Sequence, residues 1–353
     1  MPERTRPAAL DTYTTLRLGG PAEYLTEATS TEEIVAALRT VDGTDPTGGA
    51  LVLAGGSNVV VSDDGFAGPV VLLRSRGFTV RRDGDRASVR VEAGQDWDEF
   101  VASTVAAGLA GLECLAGIPG SAGATPVQNV GAYGQEVAET ITAVRVYDRR
   151  DGDVVTFAPG ECHFGYRTSV FKHNHRFVVL SVDFSLTASP WSRPIRYAEL
   201  ARALGVVPGE RAELARVREA VLDLRRGKGM VLDAADHDTW SVGSFFTNPV
   251  LSGVGLVTLR ERAGGQPPAW PGDDGSVKVS AAWLIERAGY HRGFTHPGAP
   301  GVAISGKHTL ALTNRGSGTT TALLTLAREI RDGVADRFGV TLHPEPVLVN
   351  CEL

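Results

Sequence analysis

Apolar residues recur along this chain in two periods. Ile34, Leu38 and Val41 fall at helical spacing behind Glu32-Glu33, so residues 30–40 are predicted helical with Thr31 as cap. Trp97, Phe100, Val101 and Val105 share a second helical face, capped by Asp96 and stopped by Gly108. Leu214, Val217, Val221 and Leu224 mark a helix within residues 210–226. Two more are expected over Ser280 to Ala288, ending at Gly289, and over Thr320 to Phe338, ending at Gly339. Short unbroken apolar runs at Leu51-Val52-Leu53-Ala54, Val59-Val60-Val61, Phe177-Val178-Val179-Leu180 and Val347-Leu348-Val349 read as strands. Residues 79–93 alternate around Asp83-Gly84-Asp85, and Val144 to Tyr147 faces Val154-Val155 across Asp151-Gly152; both are hairpin patterns. Helices and strands do not alternate as βαβ units, so the fold class is α+β.

One stretch breaks both periods. Leu115 to Val137 carries Gly117, Gly120, Gly123, Gly131 and Gly134, with Pro119 and Pro126 between them, and has no charge until Glu136. Glycine lets backbone N–H groups approach a ligand closely, and successive amides form an anion-binding concavity. An uncharged loop of this length suits a large planar cofactor bearing phosphates. The alternative is a mobile linker, in which Ile118, Val127, Val130 and Tyr133 would have no reason to be apolar. A second turn, Gly55-Gly56-Ser57-Asn58, joins the strand at Leu51 to the run at Val59. No helical pattern follows it, so it makes a strand–turn–strand phosphate cradle rather than a Rossmann turn.

Composition narrows the field. The 353 residues allow two or three domains, and a net charge of −6 gives no basis for nucleic-acid binding. The pairs Arg81-Arg82 and Arg149-Arg150 read as solvated turn charges. Three cysteines, Cys114, Cys162 and Cys351, fit a reducing compartment better than a disulfide framework, and the eight histidines form no metal-ligand spacing. Cys162 reads as a small buried residue. Met1 to Thr15 lacks the apolar core of a signal peptide, and no run approaches a transmembrane length. A cytoplasmic protein without membrane insertion is expected.

The chain resembles the UDP-N-acetylenolpyruvoylglucosamine reductase family from about Leu18 to Glu345. The resemblance rests on Gly55-Gly56-Ser57-Asn58, Gly117-Ile118-Pro119-Gly120-Ser121, Gln128-Asn129-Val130-Gly131-Ala132-Tyr133-Gly134, Phe164-Gly165-Tyr166-Arg167, Gly243-Ser244-Phe245-Phe246-Thr247-Asn248-Pro249 and Pro344-Glu345. It implies a two-subdomain FAD-binding fold of the PCMH or vanillyl-alcohol-oxidase type, followed by an α+β substrate domain. The expected division is 1–75 for the first flavin subdomain, with 338–353 returning to it, 76–230 for the second, and 231–337 for the substrate domain. It also implies a monomer that uses non-covalent FAD and NADPH to reduce the enolpyruvyl group of a small nucleotide-sugar substrate in peptidoglycan precursor synthesis. Cofactor contacts then fall on Gly55, Gly56, Ser57, Asn58, Ile118, Pro119, Gly120, Ser121, Gly123, Ala124, Gln128, Asn129, Gly131, Ala132, Tyr133 and Gly134.

Three residues carry the implied chemistry. Ser244 is the candidate acid; a hydroxyl works in that role only in a dry site facing a strongly basic acceptor, which Phe245 and Phe246 could supply. Its alternative is a serine closing a turn. Arg167 can hold a carboxylate bidentately, and Glu345, between two prolines, is assigned by the resemblance to stabilising the enol intermediate. For these two the alternative is a structural ion pair. Substrate contacts are expected from Tyr166, Tyr197, Lys228, Asn248, Trp270 and His308. Tyr197 resembles the tyrosine that closes over the diphosphate in one class of the family, and Trp191-Ser192-Arg193-Pro194 would be its flexible lead. Trp270 and His308 depart from the common tyrosine and glutamine of that class. Gly301 to His308 nearly matches a P-loop, but His308 stands where magnesium needs a hydroxyl, and the following Leu310-Ala311-Leu312 is strand-like.

Overall fold

A computed structural model describes residues 4–5, 8–44, 49–272 and 275–353. Two compact units emerge. The first holds Ala22–Gly56 and Phe66–Val231; the second holds Ala9–Pro21, Ser57–Gly65 and Leu232–Leu353.

Two larger sheets, and a short ladder pairing Gly131–Ala132 with Gln135–Glu136, lie among the described residues of the first unit. Pro21–Ala28, Phe66–Leu73 and Leu51–Leu53 run parallel with Phe66–Leu73 in the middle, where Leu25 pairs with Val70 and Val52 with Val71. Helix α1 (Thr31–Thr44) covers this sheet with Ile34 and Leu38, both fully buried. Its cap is Ser30 rather than Thr31: the Ser30 hydroxyl accepts from the Glu33 N–H at 3.2 Å. The Glu33 carboxylate reaches back to the Thr29 N–H and hydroxyl, both at 2.7 Å, which fixes the helix entry one residue earlier. Thr31 is left inside the first turn, donating to Glu92 at 3.0 Å.

The second sheet is antiparallel, in the order Asp153–Phe157, Ile141–Asp148, Phe177–Ala188, Arg86–Glu92, Phe78–Asp83. Both expected hairpins are in it. Helices α2 (Trp97–Ala106), α3 (Ala198–Leu204) and α4 (Leu214–Gly227) bury their apolar faces in the same core. Trp97, Phe100 and Phe184 meet there with ring centroids 5.8–6.1 Å apart. Asp96 caps α2 by accepting from Glu99 N–H at 2.9 Å. Tyr147, Val178 and Leu180 pack with Ile34, Leu38, Val71 and Leu73, so the two sheets share a core across the expected 75/76 division. Arg149 corrects another expectation. Its side chain is 5% exposed and pairs with Asp42 at 2.6 Å, because the hairpin turn that carries it abuts the end of α1.

The second unit is built on α5 (Gly253–Ala263), α6 (Ala281–Ala288) and α7 (Thr320–Phe338). Ser280 caps α6 and Thr319 caps α7, through the Trp283 and Ala322 N–H groups. Asp63 adds a second clamp on α7, accepting from the N–H groups of Thr320 and Thr321 at 2.7 and 2.8 Å. Val347–Val349 pairs parallel with Val59–Val61. The chain's end therefore joins a segment from its first 75 residues, and both belong with the C-terminal unit. Among the described residues, no helix is long and apolar enough to cross a membrane.

Candidate active site

The glycine stretch is anchored throughout. The Trp97 indole donates to the Leu115 carbonyl at 3.0 Å, the Gly117 N–H donates to Asp98 at 2.6 Å, and the Cys114 N–H donates to Gln135 at 3.0 Å. Ile118, Val127, Val130 and Tyr133 pack on the core, which rules out a mobile linker. Asp98 also takes a bidentate pair from Arg218 at 2.5 and 2.8 Å. Burial raises the Asp98 carboxyl, but Arg218 and the Gly117 N–H outweigh it and hold it below its ordinary value.

The two glycine turns touch. A Cβ on Gly55 would lie 2.5 Å from the Gly120 Cα, so glycine is required there. Beside this contact the Ser121 hydroxyl is buried with no hydrogen-bond partner among the described residues. The buried Nε of Arg225 is also unpartnered, and the same guanidinium lies 3.4 Å from where a Gly117 Cβ would be. Burial pushes Arg225 down to about 10, against the pull of Tyr133 and Asp98. An unmatched buried polar group costs about 1–3 kcal/mol. Two of them around a backbone cradle fit a phosphate-bearing cofactor. Nothing in the Arg225-Arg226 pair as a sequence signals that one member is buried.

Asn129 has a different job from the one expected of it. Its side-chain amide donates to Glu136 at 2.8 Å and to the Gly165 carbonyl at 3.1 Å, while its oxygen accepts from the Ala138 N–H at 3.2 Å. The side chain is thus committed to the protein, and any cofactor contact passes to the backbone. Arg167 lies next to it in the left-handed region (φ 54) and donates to the Gly131 carbonyl at 2.8 Å. Its guanidinium sits 5.3 Å from the Tyr166 ring.

Tyr133, Tyr197 and Lys228 come together. The two tyrosine rings meet edge-on at 5.5 Å, and the Lys228 ammonium lies 5.7 Å from the Tyr133 ring centre. Burial pushes the Tyr133 hydroxyl up to about 12. The lead into Tyr197 is not flexible. Ser192 and Ile195 are buried, the Arg193 N–H donates to the buried Glu113 carboxylate at 2.8 Å, and the N–H groups of Ser192 and Ile195 donate to the Ala212 and Glu210 carbonyls. Exposure resumes at Arg196 and Tyr197.

In the second unit, a short antiparallel ladder pairs Phe246 with Pro344 and joins the segments that carry Ser244 and Glu345. The Glu345 N–H donates to the Phe245 carbonyl at 2.8 Å, and the Thr247 N–H donates to the His343 carbonyl at 3.0 Å. Phe245 and Phe246 are core residues, with Ser244 half-buried at their edge. The Asn58 amide donates to the Glu345 carbonyl at 3.4 Å. Asn248 spends its oxygen on the Ala281 N–H at the start of α6, at 2.9 Å. Trp270 is 48% exposed, with Lys278 6.0 Å from its ring. The His308 N–H donates to the Ser305 hydroxyl at 3.3 Å. Lys307 of the P-loop-like stretch pairs with Asp236, so its charge is spent within the protein. Cys162 is fully buried, and burial pushes its thiol up to about 11.

Known proteins give the same picture. The family signature described as UDP-N-acetylenolpyruvoylglucosamine reductase, C-terminal domain, matches residues 235–349, and an FAD binding domain matches residues 22–158. The chain is 63% identical over 349 residues to the UDP-N-acetylenolpyruvoylglucosamine reductase of Salinispora arenicola, covering 98% of this chain and 95% of that one. The chain belongs to the UDP-N-acetylenolpyruvoylglucosamine reductase family. The member from Thermobifida fusca is 54% identical and covers 99% and 98%. The crystal structure of the Thermus caldophilus member aligns with a TM-score of 0.67 at 24% identity, covering 99% of this chain and 100% of that one, which shows a shared fold. This protein is therefore an FAD-dependent oxidoreductase with a flavin-binding region ahead of an α+β C-terminal domain.

Proposed function

We propose that this protein reduces the enolpyruvyl group of UDP-N-acetylglucosamine enolpyruvate to give UDP-N-acetylmuramate, a peptidoglycan precursor. The observation that carries the reading is the backbone ladder that joins the Ser244-Phe245-Phe246 segment to the Pro344-Glu345 segment, so that the two candidate motifs from distant parts of the chain meet in one place. When bound, FAD relays hydride from NADPH to the terminal carbon of the enolpyruvyl group. The backbone around Gly55, Gly120, Gly131 and Gly134, the Ser121 hydroxyl and the Arg225 guanidinium would hold that cofactor. Arg167 binds the substrate carboxylate and stabilises the negative charge that builds on it. Ser244 then gives its proton to the adjacent carbon, and Glu345 stabilises the enol form. Tyr166, Tyr197, Lys228, Asn248, Trp270 and His308 grip the nucleotide.

The reading extends to organisation. The parallel sheet with α1 is one flavin subdomain, the antiparallel sheet with α2 to α4 is the other, and residues from 231 form the substrate domain. The enzyme works as a cytoplasmic monomer. An absorption experiment tests the function: NADPH should bleach the flavin band, and the enolpyruvyl nucleotide should restore it. Acid precipitation should leave all the flavin in the supernatant, as a non-covalent cofactor requires. A band that NADPH bleaches but the nucleotide does not restore would refute the substrate.

A further inference from the structure

The Lys228 ammonium already has an anion. Its Nζ lies 2.6 Å from Glu199 Oε2, and the two side chains are 32% and 37% exposed. Lys228 closes the C-terminal end of α4, while Glu199 stands in the first turn of α3, two residues after Tyr197 at the cap. Tyr197 leans edge-on against Tyr133, the ring that also faces Lys228. A cleft of about 550 Å³ between α3 and α4 opens beside the ion pair, lined by Glu199 and Lys228 together with Leu204, Arg216, Glu219 and Asp223, so a released carboxylate turns outward to solvent rather than toward the acidic wall.

We propose that Glu199 is a positioning residue: it is the resident counter-anion of Lys228, and a nucleotide diphosphate reaches Lys228 by displacing it. The inference rests on the reading of Lys228 and Tyr197 as diphosphate contacts. A carboxylate and a diphosphate compete for one ammonium, and the diphosphate carries the greater charge. The exchange is cheap because the released carboxylate is already partly hydrated, and a part-exposed pair is weak. The device favours ligands with two phosphates, which have charge enough to evict Glu199, and it keeps Lys228 neutralised when none is bound.

Calorimetric titration of UDP into the flavin-loaded enzyme tests this. Lys228→Gln should weaken UDP. Glu199→Gln should tighten it about two- to fivefold, the worth of a part-exposed ion pair. Glu199→Asp, which keeps the charge, should fall within about twofold of the parent. In a Lys228→Gln background the Glu199→Gln gain should vanish. A merely structural glutamate would give no gain, and a gain that persists without Lys228 would mean simple relief of repulsion; either result overturns the proposal. Failure of Glu199→Asp to restore the parent affinity also overturns it. If Lys228→Gln leaves UDP affinity unchanged, the diphosphate reading of Lys228 itself falls, and that result is separate from the others.

Discussion

The Asn129 side chain donates to the Gly165 carbonyl at 3.1 Å, and this bond hangs the Tyr166-Arg167 turn from the glycine loop. Arg167 returns the contact through the Gly131 carbonyl. The glycine loop and Arg167 are thus held by one local network, and a change in either is expected to move the other.

Asn129 is 2% exposed and makes three side-chain hydrogen bonds, one of them to a carboxylate. Asn129→Ala strands the Ala138 N–H, leaves the Gly165 carbonyl only its longer bond from the Thr168 N–H, and should destabilise the enzyme by about 1–3 kcal/mol. Asn129→Asp is nearly isosteric, but it replaces two donors by an oxygen facing Glu136. Thermal melts should place the Asp variant no higher than the Ala variant. A near-parental Asp variant would show that the network is not holding the loop.

In the proposed mechanism, Ser244 acts only after hydride has reached the substrate. Ser244→Ala should leave flavin reduction by NADPH intact and slow the oxidative half-reaction by about 10²–10⁴-fold, the usual loss for one positioned acid. Stopped-flow traces of the two halves separate these effects. Equal slowing of both, or of neither, would remove Ser244 from the acid role.

If Tyr197 closes over the diphosphate as proposed, the movement is expected after Ile195, where the bonded backbone ends. Hydrogen exchange in the ligand-free enzyme should find the amides of Ser192, Arg193 and Ile195 protected and that of Tyr197 open, because the first three have buried or bonded acceptors. Tyr197→Phe keeps the ring contact with Tyr133 and removes only the hydroxyl. It should weaken the enolpyruvyl nucleotide roughly ten- to a hundredfold, the worth of about 1.5–3 kcal/mol for a bond to a charged group. NADPH binding should be spared. An unchanged nucleotide affinity would leave Tyr197 as a packing residue.

Acid should loosen the start of the glycine loop through Asp98. Its folded-state pKa lies below the ordinary carboxylate value, so the native form binds fewer protons than the unfolded chain. Its stabilisation is complete above about pH 5 and is lost as pH falls through the lowered folded value. Urea midpoints should therefore separate the parent from Asp98→Asn by more at pH 6 than at pH 3.5. A gap that is constant across that range would assign Asp98 a role independent of its charge.

The sequence by itself determined what depends on neighbours within a few positions. Asp96, Ser280 and Thr319 cap helices because a short oxygen side chain can reach the free N–H groups of the next turn. Gly289 and Gly339 end helices in the left-handed region, and the hairpins turn where Asp and Gly allow. The motifs Gly55 to Asn58 and Gly117 to Gly134 were legible as a cofactor cradle because glycine without charge has few other uses. Tertiary structure decided the rest. It placed Val347–Val349 beside Val59–Val61, the Phe245 backbone beside Glu345, and Glu199 on Lys228. It buried Arg149 against Asp42, left Arg225 without a partner for its Nε, and committed Asn129 to the loop. These pairings join residues far apart in the chain, and their free energy comes from burial and charge matching that exist only once the backbone has closed. No local pattern of apolar and polar residues encodes which distant partner will be waiting.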